Sequence, residues 1–261
     1  MMGFSWGWRI ASERRTHAAI PRPSWRARQD DYGVRNLLAL ALVLVLLATA
    51  CGGGTAATAQ QPSHDHRHGM VHEFHDAAAW AKVFDDPARD AWQRPADVMH
   101  LLDLHPGMTV ADLGAGTGYF EPHLAHLVGP TGHVLALDVE PEMVQYLRDR
   151  AARDGLANVE ARVVAPDDPA LPPRGVDRVL IVDTWHHLRD REAYARKLAA
   201  GLTAGGTVTV VDFTRESAMG PPVSARLAPD QVVAELSAGG LHAAVVAETL
   251  PEQYVVVARR R

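Results

Sequence analysis

The sequence predicts an α/β protein with a doubly wound, mostly parallel sheet. One observation is a set of short apolar runs that end in an acid, such as His133–Asp138 and Arg178–Asp183. Uninterrupted apolar runs are typical of parallel strands that helices cover on both faces. The other observation is the run Val110–Leu113, which breaks into the glycine-rich turn Gly114–Gly118 before a helical segment resumes. A strand, a tight turn and a helix in this order indicate such a sheet.

Composition leaves room for one such domain and excludes several functions. A chain of 261 residues can hold one domain of about 150–200 residues plus an extension. The formal net charge of −5 gives no sign of a basic stripe, so we expect no nucleic-acid partner. Cys51 is the only cysteine, which excludes an intrachain disulfide and a cysteine-based metal site.

Residues 1–51 are predicted to be an export segment. The apolar run Leu37–Ala50 follows a basic residue and ends in small residues. It is typical of a signal peptide and shorter than the roughly 20 residues that a membrane-spanning helix needs. Leu47–Cys51 resembles the lipobox of bacterial lipoproteins, although Ala48 stands where that motif most often has Leu. This resemblance implies a lipidated Cys51 and a membrane anchor in the cell envelope.

Several alternatives remain open for the export segment. The apolar run is otherwise an uncleaved signal anchor or a buried helix, and without a working signal the protein stays in the cytoplasm. A translation start near Val34 would remove the unusually long stretch before the apolar run. The pair Arg14 and Arg15 raises the alternative of twin-arginine export, a route that carries folded proteins together with their cofactors.

Residues 52–75 are predicted to be a flexible, histidine-rich linker. Gly52–Gln61 is small and polar, as tethers are. Five histidines then follow within twelve residues: His64, His66, His68, His72 and His75. Neutral imidazoles bind zinc, copper and nickel, so these five are candidate metal ligands. Because no helical spacing or cysteine defines a geometry, a solvated tract that binds nothing specific is the favoured interpretation.

The folded domain is predicted to occupy residues 76–261 and to begin with helices. Asp76–Asp86 predicts a short amphipathic helix. Four residues are expected on its apolar side: Ala79, Trp80, Val83 and Phe84. Asp90–Pro95 then leads into a second helix over Ala96–Leu104.

Helical and strand periodicities alternate along the rest of the domain. They predict helices over residues 119–128, 141–154, 190–200 and 228–239, and strands over 110–113, 133–138, 158–165, 178–183, 207–212, 243–249 and 253–258. Leu202–Gly206 predicts a turn into the fifth strand, and Phe213–Pro222 an irregular loop on the substrate side. The last two strands are expected to form a β-hairpin.

The glycine turn carries the strongest chemical signal. It follows Asp112 and places glycines at alternate positions, which a turn needs where a ligand approaches bare backbone. Asp138 lies a little over twenty residues beyond Gly114, at the end of the neighbouring strand, where an acid can accept both hydroxyls of a ribose. Tyr119 stands where the dinucleotide fingerprint would have its third glycine, which argues against NAD.

Three segments carry a resemblance to a known family. Asp90–Pro95, Gly114–Phe120 and Asp183–His187 resemble the corresponding segments of class I S-adenosylmethionine (SAM)-dependent methyltransferases of a small bacterial type. The resemblance covers the chain from about Trp80 onward. It implies a Rossmann-like, seven-stranded doubly wound sheet, mostly parallel with an antiparallel C-terminal strand, and SAM as the cofactor of an enzyme.

The resemblance also implies a set of cofactor-binding residues. They are Asp112, Gly114, Ala115, Gly116, Gly118, Asp138, Asp167 and Asp183. In the family, acids at these places contact the methionine amino group (Asp112), the ribose (Asp138) and the adenine amino group (Asp167). Aspartates also cap helices and start turns, so a structural role remains open for each.

The N-terminal part of the domain covers the cofactor pocket in the resembling family. Trp92 and Gln93 are therefore candidates for contact with the methionine end of SAM or with the substrate. For Trp92 the favoured interpretation is that it packs its helix onto the sheet.

The substrate side offers two histidines. His186 and His187 follow the strand that ends at Asp183, at the edge where ligands bind in such sheets, so either is a candidate general base. The alternative is that one packs against the adenine or caps the helix over Asp190–Ala200. The Asn/Asp-Pro-Pro-Tyr sequence of nucleobase methyltransferases is absent, which argues against methylation of DNA or RNA bases.

The predicted function is transfer of a methyl group from SAM to an unidentified small-molecule or lipid-like acceptor. Export conflicts with this function, because SAM is made in the cytosol. Two alternatives from other classes are a catalytically inactive SAM-fold binding module and a histidine-rich, metal-handling lipoprotein at the membrane.

Overall fold

The computed structural model describes residues 76–247 and 250–260. Its helices are α1 (Ala77–Phe84), α2 (Arg89–Gln93), α3 (Pro95–Leu102), α4 (Glu121–Val128), α5 (Pro141–Arg153), α6 (Arg191–Gly201) and α7 (Pro229–Ala238). Its strands are β1 (Thr109–Leu113), β2 (His133–Asp138), β3 (Val159–Val163), β4 (Val176–Val182), β5 (Leu202–Phe213), β6 (Leu241–Val246) and β7 (Gln253–Arg260).

The strands form one seven-stranded sheet in the order β3-β2-β1-β4-β5-β7-β6. Neighbouring strands from β3 to β5 pair in parallel. Strand β7 is antiparallel to both β5 and β6, so six strands run in one direction and one against them. The predicted fold class is confirmed. The strand order reverses between β1 and β4, and the carboxyl ends there flank the crevice where ligands bind in open α/β sheets.

Both faces of the sheet are buried, as the apolar runs predict. Val179 and Ile181 of β4 pack with residues of α6 and α7. Leu180 and Val182, which point to the other face, pack with residues of α3 and α4. A strand that buries successive residues on opposite faces needs the uninterrupted apolar sequence that β4 has.

The apolar side of α1 differs from the predicted one. The helix buries Ala77 and partly buries Trp80 and Phe84, whereas Ala79 is exposed and Val83 is 60% exposed. The helix starts after Asp76, whose Oδ1 accepts from the backbone N–H of Ala79 at 3.0 Å. The buried stripe then runs at helical spacing from the first residue, so the prediction was wrong for Ala79 and Val83.

The predicted turn at Leu202–Gly206 lies inside β5. Leu202 pairs with Val176 and Thr207 pairs with Arg178, so the residues between Leu202 and Thr207 bulge out of the strand. The prediction of a turn was wrong because the chain keeps its direction through this bulge. The other predicted elements are present, with ends that differ by a few residues.

The predictions for residues 1–51 and 52–75, including Cys51 and the five linker histidines, lie outside the described residues. Within residues 76–247 and 250–260, no helix is long and apolar enough to cross a membrane. The same ranges contain no cluster of three or more His, Cys, Asp and Glu side chains suited to hold a metal ion.

Candidate active site

The glycine turn joins β1 to α4 at the carboxyl edge of the sheet. Gly114, Gly116 and Gly118 have φ of +73°, +57° and +89°, which glycine adopts without steric cost. A Cβ on Gly114 would lie 2.3 Å from the Thr184 Oγ1. The turn therefore packs directly against the segment after β4, and only glycine fits at this contact.

Asp138 ends β2 beside this turn. Its Oδ2 accepts from the Gly116 N–H at 2.9 Å and its Oδ1 from the Glu140 N–H at 3.0 Å. Desolvation raises the pKa of its carboxyl. An ionised carboxylate has about four acceptor positions, so these bonds leave room for a ligand hydroxyl. This placement suits the ribose role that the resemblance implies.

Asp112, at the end region of β1, lies beside a carboxyl that the sequence did not single out, Glu121. The two residues are 3% and 2% exposed. Desolvation raises the pKa of Asp112 to about 7, with the Arg89 guanidinium opposing the shift. Desolvation and the neighbouring Asp112 raise the pKa of Glu121 well above its usual value.

Glu121 was missed although the sequence carries a signal for it. It is the first residue of α4, and Leu124, Ala125 and Val128 form the buried stripe of that helix. Glu121 occupies the same stripe at helical spacing. An acid on an otherwise apolar helix face next to a glycine turn indicates a buried functional group.

Ala115 and Asp167 lie on the rim of the cofactor side. The Ala115 N–H donates to the Leu137 carbonyl at 3.1 Å, which ties the turn to β2. Asp167 is exposed after β3, and its backbone carbonyl accepts from the Lys197 Nζ at 2.6 Å. The neighbouring Asp168 uses its carboxylate within the turn, where Oδ1 accepts from the Ala170 N–H at 2.8 Å.

Helices α1 and α2 cover the glycine turn. A Cβ on Gly116 would lie 3.6 Å from the Phe84 ring. The Asp85 carboxylate accepts from the Thr117 hydroxyl at 3.2 Å and from the Arg150 Nη1 at 2.8 Å. The N-terminal part of the domain therefore covers the region where the resemblance predicts the cofactor pocket.

A chain of hydrogen bonds runs from α2 to the end of β4. Arg89 donates through Nε and Nη2 to the Gln93 Oε1 at 3.2 and 2.9 Å. The Gln93 Nε2 donates to the Gln253 Oε1 at 2.7 Å, and the Gln253 Nε2 donates to the Asp183 Oδ1 at 2.7 Å. Arginine only donates and a carboxylate only accepts, so the orientations of both buried amides follow. We call these four residues the amide relay.

Asp183, the last residue of the amide relay, has a strained backbone conformation. Its φ of +50° lies in the left-handed region, which is rare for residues other than glycine and concentrates at functional sites. Desolvation, together with the negative charge of Asp212, raises the pKa of Asp183 to about 7. The sequence predicted Asp183 as a site residue but gave no indication of Gln253, which comes from a strand far along the chain.

The two candidate histidines have different surroundings in the structure. The Nδ1 of His186 lies 3.0 Å from each carboxylate oxygen of Asp212, and the two side chains are 3% and 2% exposed. His187 is exposed, and its ring centroid lies 4.1 Å from that of His186. Asp212 is the last residue but one of β5. It is an acid near the end of a strand, as Asp112, Asp138 and Asp183 are, but it was not predicted as a site residue from the sequence.

Two aromatic residues, Trp92 and Phe213, contact each other where α2 meets the end of β5. Trp92 of α2 lies 5.7 Å, ring to ring, from Phe213, the residue after Asp212. This contact packs α2 onto β5, as the favoured interpretation of Trp92 predicts. The loop after Phe213 is fixed by Arg226, which donates to its backbone carbonyls, among them that of Ser217 at 2.7 Å.

The residues on the cofactor side fit the chemistry of SAM. Buried carboxyls at Asp112 and Glu121 suit an ammonium group, and neither Glu121 oxygen has a hydrogen-bond donor among the described residues. The N-terminus of α4 lies at the glycine turn, and the dipole of this helix favours a negative group there. Asp138 has acceptor positions left for hydroxyls.

Comparisons with known proteins point to the same chemistry. A family model described as a methyltransferase domain matches residues 104–245. The ubiquinone/menaquinone biosynthesis C-methyltransferase of Pseudomonas fluorescens (strain Pf0-1) is 29% identical over 147 residues, which are 54% of this chain and 57% of that protein. The chain thus spans little more than half the length of the curated relatives it matches.

Solved structures match over a larger share of the chain. A SAM-dependent methyltransferase from Aquifex aeolicus matches with a TM-score of 0.66 and 30% identity, over 71% of this chain and 99% of that one. The [4+2]-cyclase SpnF matches with a TM-score of 0.54 and 16% identity, over 65% of this chain and 80% of that one, and shares only the fold. The family model, which spans more than half of the chain, and the Aquifex enzyme agree with the glycine turn and its acids: the chain belongs to the class I SAM-dependent methyltransferases.

Proposed function

We propose that the protein transfers the methyl group of SAM to a small-molecule or lipid-like acceptor whose reacting atom must lose a proton. The observation that carries this proposal is the pairing of His186 with Asp212 at the carboxyl ends of β4 and β5. The Nδ1 of His186 lies 3.0 Å from both oxygens of a carboxylate that is almost fully buried.

The contact with Asp212 suits His186 to the role of general base. A carboxylate can only accept, so the proton of the neutral imidazole is on Nδ1 and the lone pair is on Nε2. The Nε2 can take a proton from a hydroxyl, an amine or an acidic carbon, and the imidazolium that forms stays beside the negative charge of Asp212. This arrangement favours catalysis over the alternative of an inactive binding module.

The other residues hold the reactants. SAM, when bound, supplies a methyl group that its own sulfonium charge activates. Asp138 holds the ribose hydroxyls and Asp112 the methionine amino group, while Asp167 accepts from the adenine. Fixed orientation of the two reactants is the main contribution of the protein to such a displacement.

A lipid-like acceptor is supported by the names of the relatives. The curated relatives are named for ubiquinone and menaquinone biosynthesis, and Trp92 and Phe213 form a pair of apolar rings where α2 meets the end of β5. We infer an acceptor with an apolar body and one ionisable hydroxyl, amine or carbon acid.

The test has a binding arm and a turnover arm. SAM and its demethylated product, S-adenosylhomocysteine, are titrated calorimetrically into the full chain in detergent. Methyl transfer from labelled SAM is then screened over quinols, phenols and amines with and without lipid tails. We expect His186→Gln to keep SAM binding and to lose methyl transfer by about 10²–10⁴-fold, the usual contribution of a general base.

His187→Gln is the matched control, because the two histidines are adjacent, His186 lies against Asp212 and the side chain of His187 is exposed. It should change turnover by only a few fold. Full turnover of His186→Gln would overturn the role of the base, and failure of the wild-type protein to bind SAM would overturn the function.

We also propose that the protein is a lipoprotein of the cell envelope, anchored through Cys51. The support is the apolar run Leu37–Ala50 and the lipobox-like Leu47–Cys51. Residues 52–75 would then tether the domain to the membrane. Intact-mass measurement after expression in bacteria should show a diacylglyceryl adduct and loss of residues 1–50, both of which Cys51→Ser abolishes. A soluble, unprocessed wild-type chain would contradict this localisation.

A further inference from the structure

The mechanism above makes no use of Glu121, whose placement is unusual. Both of its carboxyl oxygens are buried without a hydrogen-bond donor among the described residues. Its Oε2 lies close under the glycine turn, since a Cβ built on Gly118 would be 3.2 Å from it. Asp112 is close enough for the two carboxyls to act on each other's charge, and both residues are almost fully buried.

The charges around this space do not neutralise Glu121. Arg150 of α5 already donates to Asp85 and to the Thr117 carbonyl, both through Nη1 at 2.8 and 2.9 Å. Arg89 of α2 donates to the Gln93 Oε1 and to the Phe84 carbonyl. The two arginines therefore influence Asp112 and Glu121 only by their charge and not by a hydrogen bond.

The remaining acids add negative charge. The charge of Asp138, at the end of β2, raises the pKa of Asp112, and the charge of Asp85, after α1, raises the pKa of Glu121. Two carboxyls that share a desolvated space do not both ionise, because each disfavours the charge of the other. In the free protein the pair therefore carries one proton and one negative charge.

We propose that Glu121 is a cofactor-binding residue, and that the Asp112–Glu121 pair releases its shared proton when the ammonium group of SAM binds. The proposal rests on the proposed function, because it takes SAM as the ligand. Charge balances in this exchange. The free pair holds one proton and carries −1, while the bound pair carries −2 and faces a ligand charge of +1. The released proton goes to the solvent.

The sign of the pH dependence follows from this exchange. Binding that releases a proton tightens as the pH rises, by up to tenfold per pH unit while the free pair is protonated. The gain ends where the ligand amino group loses its own proton, near the usual α-amino pKa of about 7.7–8.0. At pH 6.5, below the pKa of about 7 of Asp112, the pair is mostly protonated and the ligand is an ammonium ion, so most of the effect is measurable there.

Calorimetry in two buffers of different ionisation enthalpy counts the protons. At pH 6.5 we expect the full-length wild-type protein to release about one proton per S-adenosylhomocysteine or SAM bound. Methylthioadenosine has the adenosine part but no amino group, and its binding should release none. This ligand comparison needs no variant and so does not depend on the folding of one.

Variants then assign the proton. Glu121→Gln, checked for folding by its unfolding transition, should abolish most of the proton release and flatten the affinity between pH 6 and pH 7. Glu192→Gln, an exposed acid of α6, is the matched control and should release the wild-type amount.

Each outcome decides between the two proposals. S-adenosylhomocysteine binding without proton release, or equal release by Glu121→Gln and wild type, would overturn the role of Glu121 and leave the methyltransferase function intact. Absence of binding by either cofactor form to the wild-type protein would overturn the proposed function itself.

Discussion

The cofactor side and the acceptor side of the crevice are built in different ways. On the cofactor side, backbone groups hold the site together. Asp138 accepts from backbone N–H groups, and the positive φ angles at Gly114, Gly116 and Gly118 set the path of the turn. On the acceptor side, side chains bond to side chains, as in the pair of His186 and Asp212. Short sequence motifs determine local backbone geometry, whereas a side-chain pair forms only where segments that are distant in the chain pack together.

The largest effect is expected on the cofactor side, from Asp138→Ala. In the proposed role of Asp138, the substitution removes the acceptor for the two ribose hydroxyls, and it leaves the Gly116 N–H without its partner. Hydrogen bonds to a charged group contribute about 1.5–3 kcal/mol each, so SAM binding should weaken by roughly 10²–10⁴-fold. Calorimetric titration measures this loss. Asp149→Ala, an exposed acid of α5, is the control, and equal affinity of the two variants would refute the assignment.

The second-largest effect is expected from Gly114→Ala, which tests the contact between Gly114 on the cofactor side and Thr184 on the acceptor side. A Cβ at Gly114 would lie 2.3–2.9 Å from three atoms of Thr184, and its φ of +73° is itself unfavourable for alanine. We expect Gly114→Ala to lower the free energy of unfolding by about 2–4 kcal/mol, from overpacking and strain together.

A second substitution separates these two causes. Thr184→Gly in the Gly114→Ala background removes the overlap and leaves only the backbone strain, about 1 kcal/mol. Urea unfolding of the wild type, both single variants and the double variant closes the cycle. Additive losses would show that the two sides do not touch in solution as they do in the structure.

The sequence predicted most of the cofactor side and only part of the acceptor side. The turn Gly114–Gly118 and Asp138 are close in the chain and follow the strand-turn-helix rule, so spacing alone located them. On the acceptor side the acids Asp183 and Asp212 each end a strand, and the rule that found the first could have found the second.

The remaining acceptor-side contacts are beyond such rules. Gln93 and Gln253 are 160 positions apart, and neither amide has a local pattern that marks it as buried. Glu121 lies between these cases: its helical stripe marks it as buried, but its closeness to Asp112 depends on how α4 packs on β1. The wrong apolar side of α1 has a similar origin, because the side that is buried depends on how α1 packs against α5.

The third-largest effect is a loss of stability expected when the amide relay on the acceptor side is broken. Gln253→Met keeps the volume but leaves Asp183 and Gln93 each without a buried hydrogen bond. We expect the free energy of unfolding to fall by about 1–3 kcal/mol, the usual cost of leaving a buried polar group unsatisfied. Hydrogen exchange over residues 77–102 should speed up, because the relay ties α2 to the sheet.

A double variant sharpens this test. Removing both amides, in Gln93→Leu with Gln253→Met, should cost less than the sum of the single losses, since the two residues share one hydrogen bond. Gln231→Met, at an exposed position of α7, controls for the substitution itself. Strict additivity would mean that the relay is not formed in solution.

The smallest effect is on the pH dependence of stability and concerns Asp183. Its pKa in the folded protein is about 7, above the value of about 3.9 for an unfolded chain. A raised pKa means that the folded state binds the extra proton, so this contribution to stability is complete below pH 4 and is lost as the pH rises through 7. Between pH 6 and pH 8 the loss for one such group is about 1.4 kcal/mol.

Asp183→Asn isolates this contribution because its side-chain oxygen still accepts from the Gln253 Nε2, the bond that measures 2.7 Å in the wild type. Urea unfolding at pH 6 and pH 8 should show a smaller loss of stability for the variant than for the wild type. The wild-type slope also contains Asp112, whose pKa is likewise about 7, so the slope should shrink rather than vanish. An unchanged slope would place the Asp183 carboxyl in water, and the acceptor side would then be more open than the amide relay implies.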